Sequence, residues 1–204
     1  MKANQTITVA LTGASGMAYG MRLLEILLQQ KHRVYLLYSQ AAQIVAQHEM
    51  ALALSSRPKE AETFLNNYFG IPPGLLTVFG REEWFAPVAS GSNPADAMVV
   101  CPCTMGTLSA ISVGSGQKLI ERAADVMLKE QRKLILVVRE TPFSAIHLEN
   151  MLRLAHSGAV ILPANPGFYH QPENIQDIVD FIVARILDQL DVPHTLMPRW
   201  GNNE

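Results

Sequence analysis

Five short apolar runs, each followed by or alternating with a stretch of helical period, restrict this chain more than any other feature. The runs are Ile7–Leu11, Arg33–Tyr38, Ala97–Cys101, Lys133–Val138 and Ala159–Leu162. The amphipathic stretches are Met17–Gln30, Gln40–Met50, Leu119–Lys129, Phe143–His156 and Ile175–Leu190. Strand alternating with helix predicts a parallel sheet covered by helices on both faces, with right-handed crossovers. Ser55–Ser92 is rich in Pro and Gly and less regular, with room for another helix and an edge strand. At 204 residues, 49% hydrophobic, the chain can bury a sizeable core. With no internal repeat and no low-complexity linker, one domain over residues 1–204 is expected.

Charge and cysteine usage narrow the function classes. A net charge of −2 argues against a polyanion-binding surface. The cluster Lys129, Arg132 and Lys133 is interrupted by Glu130 and reads as a solvated helix end, so nucleic acid is not an expected partner. The start, Met1-Lys2-Ala3-Asn4-Gln5-Thr6, lacks the apolar core of a signal peptide, and no apolar run approaches the ~18 residues of a membrane span. Cys101-Pro102-Cys103 fits neither a Cys-x-x-Cys redox turn nor a zinc site, and so short a bridge would be strained. Two buried thiols at a strand end, in a cytoplasmic protein with no membrane partner, is the expectation.

Chemistry concentrates where strands end. Val137-Val138-Arg139-Glu140-Thr141-Pro142 stops an apolar strand at an adjacent arginine and glutamate. In an open parallel sheet that position faces the ligand crevice. One side chain there can hold an anion while the other moves a proton.

The first strand runs into Thr12-Gly13-Ala14-Ser15-Gly16 ahead of a helix, offering backbone N–H groups and a positive dipole end to a phosphate. The spacing is not G-x-G-x-x-G. The second strand ends in Ser39 where a dinucleotide site favours a carboxylate, so a mononucleotide phosphate is preferred to NAD. An ordinary tight βα turn is the alternative. In Cys101-Pro102-Cys103-Thr104-Met105-Gly106-Thr107-Leu108, Thr104 can cap a following helix and Thr107 adds a hydroxyl in its first turn. Gly106 would let a flat ligand approach the backbone. Read alone, this is a capping arrangement as readily as a binding site.

Cations and a phenol form a further set: Arg122, Lys129, Tyr169 and Arg185. Arg122 and Lys129 stand two turns apart on one helix and can share a face. Tyr169 lies in the rigid loop Pro163-Ala164-Asn165-Pro166-Gly167-Phe168-Tyr169-His170 after a strand, a usual position for a binding loop. Glu49, at a helix end, is open to either a solvated or a catalytic reading.

Taken together these motifs resemble a known family. Gly13-Ala14-Ser15-Gly16, Cys101-Pro102-x-Thr104, Leu119-Ile120-x-Arg122-Ala123-Ala124-Asp125-Val126-x-Leu128-Lys129-Glu130, Arg139-Glu140-Thr141-Pro142 and Pro163-Ala164-x-Pro166-x-Phe168-Tyr169 look like the UbiX-type flavin prenyltransferases. The match is colinear from about residue 7 to residue 200. Phosphopantothenoylcysteine decarboxylases, which are FMN-dependent, share the superfamily. Their Pro-x-Met-Asn motif is absent, since Pro163-Ala164-Asn165-Pro166 lacks the methionine.

The resemblance implies a three-layer, flavodoxin-like or Rossmann-like fold and a metal-independent transferase. Such an enzyme joins a dimethylallyl group from dimethylallyl monophosphate to N5 and C6 of reduced FMN and releases phosphate. The prenylated FMN then serves a UbiD-type decarboxylase, in ubiquinone biosynthesis or aromatic acid decarboxylation. It further implies FMN contacts from Gly13, Ala14, Ser15, Ser39, Thr104, Met105, Gly106, Thr107 and Arg139. Lys129, Tyr169 and Arg185 would hold the donor phosphate, with Arg122 close by. Glu140, Ser15 and Glu49 would handle protons. Trp84 and Trp200 are candidates for an aromatic wall facing the developing prenyl cation. The family assembles as homododecamers with the site at subunit contacts, so a large homo-oligomer is expected.

Overall fold

Branched aliphatic residues crowd the five predicted runs, and all five become strands of one parallel sheet in the computed structural model, which describes residues 4–198 and 201. In chain order the elements are β1 (Thr6–Leu11), α1 (Met17–Gln29), β2 (Arg33–Tyr38), α2 (Gln40–Met50), α3 (Pro58–Phe69), β3 (Leu76–Val78), β4 (Ala97–Cys103), α4 (Met105–Ser112), α5 (Leu119–Lys129), β5 (Lys133–Val138), α6 (Ala145–His156), β6 (Val160–Pro163) and α7 (Ile175–Gln189). A 3-10 turn, Pro87–Ala89, precedes β4. The irregular region Ser55–Ser92 thus supplies the helix and edge strand for which it had room. Strand order is β3-β2-β1-β4-β5-β6. The chain winds outward from β1, crosses back, and winds outward again, so the order reverses between β1 and β4. In such sheets the ligand crevice opens there.

Alternating side chains send the strands into two cores. Ile7, Val9, Leu11, Val99, Ile135 and Val137 pack with α1 and α7 on one face. Met98, Val100, Leu134, Leu136 and Val138 pack with α4, α5 and α6 on the other. The burial of Leu23, Leu24, Leu27 and Leu28 from α1 alone stabilises by at most about 10 kcal/mol against the unfolded chain. Gly20 sets how closely α1 approaches β4, because a Cβ there would come 2.5 Å from the carbonyl oxygen of Cys101.

The β4–β5 ladder carries an irregularity that the sequence pattern did not suggest. Val100 pairs with Leu136 and Cys103 with Val138, three steps on β4 against two on β5. Pro102, which has no N–H for the ladder, sits inside this bulge. The expected strand Ala97–Cys101 therefore extends to Cys103, and the two thiols enter opposite cores. Other boundaries move by one or two residues. β6 starts one residue later than the apolar run, and α6 starts at Ala145 rather than Phe143. Ser144 sets that start: its Oγ accepts from the His147 amide at 3.2 Å, and its own amide donates to His147 Nδ1 at 3.2 Å.

Candidate active site

Four of the sequence-predicted segments meet at the carboxyl edge of the sheet, around the switch point. Thr12 ties two of them. Its Oγ1 donates to the Pro102 carbonyl at 2.7 Å and accepts from the Thr104 amide at 2.9 Å, so the turns after β1 and β4 are joined through one buried hydroxyl. The Ser39 amide donates to Leu11 O at 3.0 Å, and the Arg139 amide donates to Cys103 O at 3.4 Å. Gly13 lies against the start of α2 so closely that a Cβ there would overlap the Cβ of Ala41.

Thr104 caps its helix as expected, and Ser39, read from sequence as a phosphate-binding hydroxyl, is a helix cap as well. Thr104 Oγ1 accepts from the Thr107 amide at 3.1 Å and lies 2.9 Å from its hydroxyl. Ser39 Oγ accepts from the Ala42 amide at 3.1 Å, opening α2. A cleft of about 800 Å³ runs past Ser39, between Gln40, Arg81 and Lys118.

The start of α1 differs from the simple glycine-turn expectation. Its amides are already occupied by an anion of the chain itself. Glu49, at the end of α2, accepts from the Gly16 amide at 3.1 and 3.0 Å and from the Met17 amide at 2.8 Å. Burial alone would raise its pKa. Hydrogen bonds from the Ser15 side chain and the Met17 and Gly16 amides, with the charge of Arg139, outweigh that and hold the carboxyl below its ordinary range. A carboxylate thus sits where a phosphate would otherwise bind this helix.

Two observations fit a flat ligand with an anionic tail. Nε of Arg139 is buried and has no hydrogen-bond partner among the described residues. A buried guanidinium nitrogen in that state is costly unless a ligand satisfies it. Gly106 faces open space, with nothing within 4 Å of where a Cβ would stand, so its backbone is free to be approached. Glu140 follows Arg139 at the same edge and accepts from the Thr141 amide at 3.2 Å.

The cationic set does not assemble within one chain. Tyr169 stands at the carboxyl edge, 56% exposed, its ring edge-on to His170 and Phe181 at centroid distances of 5.8 and 5.9 Å. Lys129 ends α5 at the opposite edge, paired with Glu130 just ahead of β5. Strand β5, six residues and roughly 20 Å long, separates that edge from Arg139. Arg185 lies one turn before Gln189, whose carbonyl meets Lys133 at the same far edge. Arg122 is engaged structurally: its Nε donates to Ala89 O at 3.0 Å and its Nη1 to Asp125 at 2.9 Å. Trp84 lies in the loop leaving edge strand β3, 45% exposed. Trp200 falls outside the described residues.

Two residues at the crevice were given no role from sequence. Thr12 read as part of a glycine turn, yet its hydroxyl links the turn after β1 to the turn after β4; a Thr at a strand end was the available signal. Tyr19, in the first turn of α1, has its pKa raised by burial and by Cys101 and Glu49, against the opposing charge of Arg139. Both cysteines are free and buried. Among the described residues no cluster of three or more His, Cys, Asp or Glu could hold a metal, and no helix is long and apolar enough to cross a membrane.

Residues 1–187 match the flavoprotein family. The flavin prenyltransferase UbiX of Pseudomonas aeruginosa is 55% identical over 201 residues, covering 98% of this chain and 96% of its own. The crystal structure of AnUbiX in complex with FMN and dimethylallyl pyrophosphate superposes with a TM-score of 0.87 at 39% identity, over 98% of this chain and 100% of that one. A dodecameric FMN-dependent UbiX-like decarboxylase from Escherichia coli does so with a TM-score of 0.84 at 37% identity, over 97% of this chain and 100% of that one.

Proposed function

The chain belongs to the flavoprotein family, as a flavin prenyltransferase of the UbiX type, and from that premise we propose that it joins a dimethylallyl group from dimethylallyl monophosphate to N5 and C6 of reduced FMN, releasing phosphate. The observation that carries the flavin end of this reading is the buried Nε of Arg139, which has no hydrogen-bond partner among the described residues, at the same sheet edge as the open backbone of Gly106. When bound, reduced FMN supplies the nucleophilic positions for the prenyl group. Gly13, Ala14 and Ser15 would contact FMN through the first βα turn, Ser39 would add a hydroxyl to its phosphate, Thr104 to Thr107 would lie along the flavin, and Arg139 would bind it.

Lys129, Tyr169 and Arg185 hold the donor phosphate and, with Arg122, stabilise it as it leaves. Because Lys129 and Arg185 stand at the far edge of their own sheet, they serve the crevice of another copy. This fits a homo-oligomer of dodecameric type with its sites at subunit contacts, and α6 has apolar surface to cover in Ile146, Leu148 and Leu152. Glu140 moves a proton to the leaving phosphate or from the flavin, with Ser15 and the ionised Glu49 completing the path. Trp84 and Trp200 are the aromatic wall of the prenyl cation.

The product, prenylated FMN, is passed to a UbiD-type decarboxylase. A single FMN-binding unit over residues 1–204 working in the cytoplasm, without a metal, belongs to the same reading; two free buried thiols are compatible with a reducing compartment. The rival reading, a phosphopantothenoylcysteine-type decarboxylase, lacks its Pro-x-Met-Asn motif here. The test is anaerobic incubation with reduced FMN and dimethylallyl monophosphate, followed by mass spectrometry of the released flavin. Gain of one dimethylallyl unit is expected. Unchanged FMN, from protein shown to bind it, would reject prenyl transfer from this donor.

A further inference from the structure

Arg185 is exposed, yet it is held from behind by a two-step relay. Its Nη1 donates to Asp188 Oδ2 at 2.7 Å, one turn later on α7. The other carboxylate oxygen, Oδ1, lies 3.1 Å from Nε2 of His194, whose side chain is only 5% exposed. The segment that carries His194 is tied to the helix it serves, since the Val192 amide donates to Leu187 O at 3.0 Å. One carboxylate is therefore shared between an exposed guanidinium and a buried ring.

An exposed ion pair three residues apart on a helix has little effect by itself, because both side chains remain free to leave it. Asp188 is different. Its rotamer is set by the buried imidazole, so the guanidinium is presented in a fixed direction. Among the described residues Nε and Nη2 of Arg185 make no hydrogen bond, which leaves two donors of the fork for a ligand oxyanion. A long, mobile arginine must lose its rotamer freedom on binding, and a preset one loses less. The carboxylate also carries a charge that repels a phosphate. Pairing with Arg185 and His194 offsets that repulsion.

We propose that Asp188, locked by His194, is a positioning residue that presets Arg185 for the phosphate of the prenyl donor. This rests on the reading that Arg185 binds that phosphate. The test is steady-state kinetics of the full-length assembly, varying dimethylallyl monophosphate at saturating reduced FMN. Asp188→Ala should raise KM for the donor by about tenfold with kcat changed by less than about twofold and FMN affinity intact. Asp188→Asn, which keeps an acceptor for Arg185, should restore most of the loss, and His194→Gln should move KM the same way by a smaller factor. In an Arg185→Ala background, Asp188→Ala should add nothing, as coupled residues do. A general structural defect would lower kcat and thermal stability in both backgrounds instead.

If Arg185→Ala raises KM while Asp188→Ala leaves it unchanged or lowers it, the positioning role is overturned and the phosphate reading survives. If Arg185→Ala itself leaves KM unchanged, both fall together. Should Asp188→Ala fail to assemble, Asp188→Asn and His194→Gln decide the matter by the same KM criterion.

Discussion

The carboxylate of Glu49 closes on the backbone of Gly16, with both oxygens within 3.1 Å of one amide, and the second helix of the fold thereby caps the first. A long-range cap of this kind does two things. It satisfies amides that no residue of α1 can reach, and it places a fixed negative charge at the edge of the crevice beside Ser15 and Arg139.

Replacing Glu49 with glutamine should cost about 1 kcal/mol at neutral pH, the usual size of a cap and dipole contribution. The folded carboxyl is held below its ordinary range. Its contribution is therefore full above the unfolded carboxylate value of ~4.3 and is lost as pH falls through the lower folded value. Urea midpoints of wild type and Glu49→Gln should differ at pH 7 and converge on acidification. A difference that grows toward low pH would contradict the assigned ionisation.

Thr12→Val keeps the shape of the side chain and removes both hydrogen bonds made by the hydroxyl between the turns after β1 and β4. The Thr104 amide would be left without its acceptor in a partly buried site, a loss of about 1–3 kcal/mol. Because the same amide anchors the turn at Thr104–Thr107, FMN affinity should weaken as well. Fluorescence titration with FMN, set beside a denaturation curve, reads both effects.

Gly13→Ala tests the close contact between the first turn and α2. The added Cβ would overlap Ala41, whose neighbour in sequence, Gln40, follows the Ser39 cap. Relief requires a backbone shift costing about 1–3 kcal/mol. A variant as stable and as tight for FMN as wild type would show that the turn is more compliant than its packing suggests.

Glu140→Gln should bind FMN normally yet lose turnover by about 10²-fold or more, since a proton-transfer group contributes on that scale. Anaerobic single-turnover assays with quantified bound flavin separate the two. An equal loss of FMN binding would make Glu140 a structural residue.

Burial pushes the Cys103 thiol up to about 12 and, with Cys103 nearby, raises that of Cys101 as well. Neither forms a thiolate near neutrality, and reactivity follows the thiolate. Thiol-specific labelling of the native protein at pH 8 should proceed no faster than global unfolding. Rapid labelling of either cysteine in folded protein would refute this.

Much of the architecture was legible in the sequence because it depends on local periodicity. Alternating apolar strands and amphipathic helices dictate a covered parallel sheet, and Thr104 could be read as a cap because capping is a contact over three residues. The placement of Arg139 and Glu140 at a strand end followed from the abrupt stop of Lys133–Val138. Three features escaped for one reason: each joins residues far apart in the chain. The Glu49 cap spans 33 positions to Gly16, the Thr12 bridge spans 92 to Thr104, and the bulge at Pro102 exists only against the register of β5.

The order of residues dictates where charge, hydroxyl and apolar surface fall along the chain, and which short segments fold as strand or helix. Tertiary structure decided which of them meet. It brought Gly13, Ser39, Thr104 and Arg139 to one edge, because parallel strands with returning helices deliver every βα turn to the same side of the sheet. The same geometry carried Lys129 to the opposite edge, since α5 returns there to start β5, and Arg185 lies toward that edge because the last turn of α7 packs against Lys133 at the start of β5.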